Sequence, residues 1–128
     1  MAQFMLDTNI FADFFNRIPE AVDIFADIPA KEMAMSAVTY AETLVGFDNS
    51  EDELRFEQMV VQIRFLIIDK QTAKIAAELR KKYNWKLPDA YQAALATQHS
   101  MILLTRNAKD FDPAVHKFVK IPYRVKKS

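Results

Sequence analysis

Short apolar runs alternate along the chain with longer segments whose apolar residues recur at helical spacing. A short apolar run is typical of a strand that is buried on both faces. The runs that predict strands lie at residues 4–6, 32–35, 64–68 and 101–104, with a peripheral one at 118–121. Strands that alternate with helices favour a parallel sheet covered on both sides. The pattern therefore predicts a three-layer α/β/α fold with a central, mostly parallel sheet.

Capping residues and prolines mark where the intervening helices begin. The predicted helices follow Asp7-Thr8-Asn9, Pro19, Ser36, Ser50, Asp69 and Pro88. Ser36 and Ser50 are expected to cap helices over residues 37–45 and 51–62. The chain has no repeat, no low-complexity segment and a single glycine. We therefore expect one domain over residues 1–128.

The composition excludes several classes of protein. The 128 residues are 51% hydrophobic and 27% charged, which is the balance of a folded globular domain. There are no cysteines, which excludes disulfides, thiolate catalysis and cysteine-based metal sites. No apolar run approaches the roughly 20 residues that span a bilayer, and the N-terminus lacks the basic and apolar regions of a secretory signal. We therefore expect a cytoplasmic protein without a membrane segment.

The net charge is zero, but the two halves of the chain carry opposite charge. Residues 1–64 have four basic and twelve acidic side chains, and residues 65–128 have thirteen basic and five acidic ones. This asymmetry predicts either a basic zone that holds a polyanion or, if the fold interleaves the halves, an averaged surface. Residues 117–127 add five basic side chains and no acid, which fits either a solvated end or a polyanion contact.

Four acidic residues from separate segments could converge at one edge of the predicted sheet. Asp7 ends the first strand, and Glu42 lies on the helix after the second strand, on the same face as Thr39. Asp89 lies in the first turn of a helix and Asp110 in the loop after the fourth strand. Functional groups collect beyond the carboxyl ends of parallel strands, so we expect the four at one edge. Taken singly, Asp7 could be a helix cap, Asp89 a helix-dipole partner and Asp110 a turn residue.

Carboxylates that converge in this way point to a divalent cation. They repel one another, and each raises the pKa of the others unless a cation neutralises them. Oxygen ligands favour Mg²⁺ or Mn²⁺, which retain waters for a substrate phosphate. Such ions activate water and stabilise the charge that develops on a phosphodiester. The four carboxylates therefore predict metal-dependent phosphodiester hydrolysis.

Four motifs closely resemble those of PIN-domain proteins. In chain order they are Met5-Leu6-Asp7-Thr8-Asn9-Ile10, Ser36-Ala37-Val38-Thr39-Tyr40-Ala41-Glu42, Leu87-Pro88-Asp89-Ala90 and Leu104-Thr105-Arg106-Asn107-Ala108-Lys109-Asp110-Phe111. Within that family the chain looks like the VapC-type toxins of bacterial toxin–antitoxin pairs. The resemblance implies a PIN-like fold and an Mg²⁺- or Mn²⁺-dependent endoribonuclease silenced by a cognate VapB-type antitoxin. It also implies a homodimer, and a higher assembly with antitoxin on operator DNA.

The resemblance also assigns roles to residues. Asp7, Glu42 and Asp89 match the most constant acidic positions of the family, and Asp110 is the predicted fourth carboxylate. Many relatives have an aspartate where this chain has Asn107, so the fourth position stays open. Asp7 and Asp89 are expected to hold the metal directly, while Glu42 and Asp110 bind it through water or orient and deprotonate the attacking water.

Further residues are expected to support these four. The polar supporting residues are Thr8, Asn9, Ser36, Thr105 and Asn107. The basic residues expected to contact RNA phosphates are Arg80, Lys81, Lys82, Lys86, Arg106 and Lys109. The chain departs from its relatives at Ser100 and at Trp85-Lys86, where glycine is common, and this affects loop shape more than chemistry.

Two alternatives compete with a ribonuclease. A phosphoacceptor signalling domain has a similar length, but it requires a second acid where Thr8 follows Asp7, and it leaves Glu42 without a role. Its acceptor would be Asp69, which leads directly into a helix. The second alternative keeps the PIN fold and only binds RNA or protein, and the complete acidic set argues against it.

Overall fold

The computed structural model describes residues 2–125, which form five strands, six α-helices and a short 3₁₀ turn. In chain order the elements are β1 (Phe4–Leu6), α1 (Thr8–Phe15), α2 (Pro19–Asp27), the 3₁₀ turn (Ala30–Glu32), β2 (Met33–Ser36), α3 (Ala37–Gly46), α4 (Ser50–Val60), β3 (Arg64–Leu66), α5 (Lys70–Tyr83), α6 (Leu87–Gln98), β4 (Ile102–Leu104) and β5 (Val119–Lys120). Met1 and residues 126–128 lie outside the described part, and with them Lys126 and Lys127 of the predicted basic end. None of the helices within residues 2–125 is long and apolar enough to cross a membrane.

The sheet is parallel throughout, with the strand order β3-β2-β1-β4-β5. The central strand β1 pairs with β4 from Phe4 opposite Ile102 to Leu6 opposite Leu104. Asp7 continues this ladder, because its backbone N donates to Leu104 O at 2.9 Å. The carboxyl ends of all five strands share one edge of the sheet, so the residues that follow β1, β2 and β4 are brought together there.

Side chains along each strand alternate between two hydrophobic clusters, one on each face of the sheet. Met5 and Leu103 belong to the cluster that includes side chains of α5 and α6. Leu6 and Leu104, their neighbours in sequence, belong to the cluster that includes side chains of α1 and α4. Helices therefore cover both faces, and the predicted three-layer α/β/α fold is confirmed.

Side-chain caps set where the longer helices begin. Ser36 and Asp69 cap α3 and α5 as predicted, because each side chain accepts a hydrogen bond from a backbone N–H of the first turn. The prediction for Ser50 is wrong, since Asn49 caps α4 by accepting from Asp52 N at 2.8 Å. Asparagine caps helices as well as serine does, and it stands one residue earlier.

Strand β3 is shorter than the predicted run over residues 64–68 and lies at the edge of the sheet. Phe65 and Ile67 remain 39% and 68% exposed, so apolar sequence alone did not indicate burial here. Two positions where, or next to where, related proteins have glycine adopt a left-handed backbone conformation. Asn84, just before Trp85-Lys86, and Ser100 adopt the left-handed φ values of 58° and 54° that glycine adopts most easily.

Phe56 of α4 lies at the centre of the hydrophobic cluster that includes Leu6 and Leu104. It is fully buried and packs against the rings of Phe11, Tyr40 and Phe47. We expect Phe56→Ala to lower the free energy of unfolding by about 3–5 kcal/mol, because the rigid neighbours cannot refill the cavity. Leu54 on the same helix is 60% exposed, so Leu54→Ala serves as the control and should stay within about 0.5 kcal/mol of wild type. Urea unfolding followed by circular dichroism measures both, and equal losses would contradict the described packing of α4.

Candidate active site

Asp7 lies directly after the central strand and is buried, and within residues 2–125 no basic side chain forms an ion pair with it. Its Oδ1 accepts hydrogen bonds from Thr8 N at 2.8 Å and Gln92 Nε2 at 2.9 Å. Its Oδ2 accepts from Thr105 Oγ1 at 2.7 Å. Asp7 does cap α1, but the cap accounts for only one of three hydrogen bonds. Neutral donors from three segments therefore hold both oxygens of a buried carboxylate without cancelling its charge.

Gln92 is a site residue that the sequence analysis missed. It lies on α6 about one turn after Asp89 and is buried. Besides Asp7, it contacts Ser36, whose hydroxyl donates to Gln92 Oε1. Its signal in the sequence is weak, because it is one of two glutamines in a helix rich in alanine. The predicted supporting residue Ser36 thus reaches Asp7 through Gln92.

Glu42 projects from α3 toward Thr8, the first residue of α1. Thr8 Oγ1 donates to Glu42 Oε1 at 2.7 Å and lies 3.3 Å from Thr39 Oγ1. Thr39 and Glu42 therefore share one face of α3, as their spacing predicts. Glu42 is exposed, and its Oε2 forms no hydrogen bond within the described chain.

Asp89 is half-buried in the first turn of α6, and its pKa responds to the other three carboxylates. The pKa of Asp89 rises from 3.8 to about 6, first because burial disfavours its charge and then because Asp7, Asp110 and Glu42 repel it. Lys86 acts weakly in the opposite direction. The four predicted carboxylates are therefore close enough to interact at one edge of the sheet.

The loop after β4 carries Asp110 and a set of side-chain hydrogen bonds that orient it. Asn107 Nδ2 donates to Asp110 Oδ2 at 3.1 Å, and Asp110 N donates back to Asn107 Oδ1 at 3.2 Å. Thr105 Oγ1, which holds Asp7, accepts from Asn107 N at 3.1 Å and from Asn9 Nδ2 at 3.2 Å. This arrangement favours Asp110 as the fourth carboxylate, with Asn107 as its support.

Arg106 is bound to Asp13, a buried acid of α1 that the sequence analysis did not single out. Both Nε and Nη2 of Arg106 donate to Asp13, the second at 3.0 Å, and Tyr123 Oη donates to the same carboxylate at 2.8 Å. The hydrogen bond to Asp13 raises the pKa of the Arg106 guanidinium. Arg106 therefore links α1 to the loop after β4, and its contact with an RNA phosphate stays a prediction.

The other residues predicted to contact phosphates differ in whether their side chains already contact another part of the protein. Arg80 donates to the backbone carbonyl of Trp85, and Lys82 Nζ lies 5.2 Å from the centre of the Tyr83 ring. Among the predicted residues, the exposed lysines without such a contact in the described chain are Lys81, Lys86 and Lys109. Of these, Lys86 is near enough to Asp89 to influence its pKa.

The donor set matches a divalent cation in chemistry and charge. All four side chains offer oxygen, which Mg²⁺ and Mn²⁺ prefer, and within residues 2–125 none of them forms an ion pair. The pKa of Asp89 is raised first by burial and then by repulsion from the other three carboxylates, and a cation would relieve that repulsion. In the described chain no three His, Cys, Asp or Glu side chains are close enough to ligate a metal as they stand. Cation binding would therefore have to draw these carboxylates closer together.

A model of the PIN domain family matches residues 4–114. The chain belongs to the PIN domain family. The matched segment contains all four carboxylates and every predicted supporting residue, so the predicted family is confirmed. No curated protein sequence matches the chain significantly.

Several solved structures similar to this PIN domain are described as toxin–antitoxin or VapBC structures. The chain is 33% identical to a toxin–antitoxin complex from Klebsiella pneumoniae, with a TM-score of 0.85, covering 96% of this chain and 100% of that one. It is 27% identical to FitAcB from Neisseria gonorrhoeae, with a TM-score of 0.80 and the same coverage. DNA-bound VapBC from Salmonella typhimurium is 22% identical, with a TM-score of 0.74 over 88% of this chain and 92% of that one, and shows the fold alone. The predicted resemblance to VapC-type toxins is therefore confirmed in fold.

The raised pKa of Asp89 has a consequence for stability. Between pH 3.8 and about 6, Asp89 is protonated to a greater extent in the folded protein than in the unfolded chain, so its contribution to stability falls as pH rises through this window. In EDTA at pH 7.5 we expect Asp89→Asn to raise Tm by roughly 3–5 °C, or about 1 kcal/mol after screening by solvent. This gain in Tm should vanish near pH 3.5, where aspartate and asparagine at position 89 are both neutral in the folded protein.

Thermal unfolding of wild type and variant from pH 3.5 to 8 measures this effect. The control is Asp23→Asn, which removes an exposed carboxylate of α2 and should leave Tm unchanged across the range. A Tm for Asp89→Asn that is equal to or below wild type at pH 7.5 would contradict the described clustering of the carboxylates.

Proposed function

We propose that this chain is a Mg²⁺- or Mn²⁺-dependent endoribonuclease of the cytoplasm and the toxin of a toxin–antitoxin pair. The observation that carries the proposal is the electrostatic coupling of Asp89 to Asp7, Asp110 and Glu42 at the carboxyl edge of the sheet. Such clustering is unfavourable in the metal-free protein, and a bound cation with a phosphodiester substrate compensates it. The similarity to toxin–antitoxin structures, at up to 33% identity, supports the same role.

The residues of the site divide the reaction between them. A bound Mg²⁺ or Mn²⁺ would neutralise charge on the scissile phosphate and make water a stronger nucleophile. Asp7 and Asp89 would hold the cation, with Asp110 in support. Glu42 Oε1 is engaged by Thr8, so Oε2 is the atom that takes the proton from the attacking water. The water oxygen bonds to phosphorus as one ester P–O bond breaks, and the leaving ribose oxygen takes a proton from solvent.

Basic residues at the same edge supply affinity for RNA. Lys86 and Lys109 flank Asp89 and Asp110 in sequence and are exposed, so they are suited to contact the phosphates on either side of the scissile bond. Contacts of this kind provide affinity and not sequence choice.

The partners proposed for this chain follow from its relatives. The Klebsiella pneumoniae structure is a toxin–antitoxin complex, and FitAB, 25% identical to this chain with a TM-score of 0.79, is bound to a DNA fragment. We propose by analogy a cognate VapB-type antitoxin, a homodimer of this chain, and a higher assembly with antitoxin on operator DNA.

The fold argues against the phosphoacceptor alternative. The strand order β3-β2-β1-β4-β5 differs from the 2-1-3-4-5 order of flavodoxin-like signalling domains. Asp69 accepts hydrogen bonds from Thr72 as the cap of α5, after the edge strand β3. A PIN domain that only binds RNA is the alternative that the following experiment separates.

The decisive experiment is cleavage of a mixed cellular RNA pool by the purified chain, with sequencing of the cut ends. We expect cuts with Mg²⁺ or Mn²⁺, none with EDTA, and a rate at least about 100-fold lower for Asp7→Asn, because the amide removes a charge that holds the cation. Asp23→Asn is the matched control and should cut at the wild-type rate. RNA binding without cleavage in any divalent metal would overturn the nuclease proposal in favour of the binding module.

The toxin role has its own test in bacterial cells. Induced expression of the chain alone should arrest growth, while Asp7→Asn at the same expression level should not. Co-expression of the protein encoded beside it should restore growth. That protein should co-purify with the chain. Normal growth with abundant, folded wild-type protein would count against the toxin role even if cleavage occurs in vitro.

A further inference from the structure

Gln92 occupies the centre of the candidate active site without a place in the proposed reaction. Its side chain is 1% exposed, so each of its hydrogen-bonding atoms must find a partner inside the protein. Nε2 donates one proton to Asp7 Oδ1 at 2.9 Å and the other to Thr39 Oγ1 at 2.7 Å. Oε1 accepts from the hydroxyl of Ser36. Three neighbours from different segments therefore engage all of its donors and its acceptor.

The orientation of this amide is determined by its neighbours. The Asp7 carboxylate has no proton to donate, so it requires the NH₂ group of Gln92 and not the carbonyl. Ser36 Oγ already accepts from Thr39 N at 3.0 Å, and its single proton is free for Gln92 Oε1. A flipped amide would place its oxygen against Asp7 and leave the Ser36 hydroxyl without an acceptor.

The same hydrogen-bond chain continues to Glu42. Thr8 has one hydroxyl proton, which goes to Glu42 Oε1 at 2.7 Å. At the 3.3 Å contact between the two threonine hydroxyls, Thr39 is therefore the donor and Thr8 the acceptor. Each donor from Gln92 through Thr39 to Thr8 points toward Glu42, and aligned chains of this kind strengthen one another.

We infer that Gln92 is a positioning residue, whose amide holds the carboxylates of Asp7 and Glu42 in a fixed relation to each other. One of its protons orients the expected metal ligand Asp7. The other, through Thr39 and Thr8, orients the group that takes the proton from water. This inference rests on the proposed function, and it assigns the active site a residue that carries no charge and contacts no substrate.

The chemistry of the side chain explains why an amide stands here. Glutamate at position 92 would place a second carboxylate against Asp7, and methionine of similar length would donate nothing. A cationic side chain would neutralise Asp7 and compete with the metal ion. Only a neutral side chain with two donors serves Asp7 and Thr39 together.

The test compares three variants of the full-length chain. Gln92→Met removes both donors at nearly constant volume. Thr39→Val keeps the bond from Gln92 to Asp7 and cuts the connection to Glu42. Gln98→Met is the matched control, because Gln98 lies on the same helix and accepts from Thr72 Oγ1 at 2.7 Å, outside the site.

Two measurements separate positioning from general stability. Mn²⁺ affinity by titration calorimetry should fall about 10–100-fold in Gln92→Met, the usual cost of losing a residue that orients a metal ligand. It should stay within about threefold of wild type in Thr39→Val, whose kcat for RNA should fall at least about tenfold because Glu42 is misaligned. Gln98→Met should change neither quantity, whatever it does to Tm.

The outcomes separate this inference from the proposed function. Wild-type protein that binds Mn²⁺ and cuts RNA, together with a folded Gln92→Met variant of unchanged Mn²⁺ affinity, would overturn the inference alone. If Gln92→Met does not fold, a wild-type kcat for Thr39→Val would overturn it in the same way. Wild-type protein that binds no Mn²⁺ and cuts nothing would overturn the proposed function and this inference together.

Discussion

The mutual repulsion of four carboxylates at one sheet edge is the constraint on which the rest of the site depends. Burial, and after it this repulsion, raises the pKa of Asp89 to about 6. Nearby donors that were charged would relieve this repulsion and also remove the attraction for a cation. The donors that hold Asp7 are accordingly the neutral groups of Thr8, Gln92 and Thr105. They supply directional hydrogen bonds while the net negative charge of the edge is kept.

Asp13 shows that neutral hydrogen-bond donors are a property of the site and do not surround every buried acid of the described chain. Asp7 and Asp13 are equally buried, at 6% exposure each, and lie six residues apart around α1. Asp13 is paired with Arg106 and accepts a further hydrogen bond from Tyr123. It therefore carries no unpaired charge and serves to join α1, the loop after β4 and the C-terminal segment. A buried ion pair suits that structural task, whereas it would disable Asp7.

The sequence predicted those features that depend on local pattern. Apolar runs and capping residues gave the order of the elements, and the place of Asp7 after the first strand was enough to locate the edge. Gln92 was not predicted as a site residue, because its role depends on contacts with Ser36 and Asp7 that form only in the folded chain. The pairing of Arg106 with Asp13 could not be predicted for the same reason, since the two lie 93 residues apart. Contacts between distant segments leave no periodic signal, and these set the interior of the site.

The fourth carboxylate illustrates the limit most clearly, because it alone lies on a loop. Asp7, Glu42 and Asp89 take their places from a strand end and two helices, whereas Asp110 depends on hydrogen bonds from its own loop and on Trp85. The indole Nε1 of Trp85 donates to Asp110 O at 3.0 Å, and Trp85 is buried in the same cluster as Met5. Packing beneath the sheet thus holds the loop backbone, and Asn107 then directs the carboxylate. Spacing along the chain could not decide between positions 107 and 110, because the choice depends on an indole anchored in the core.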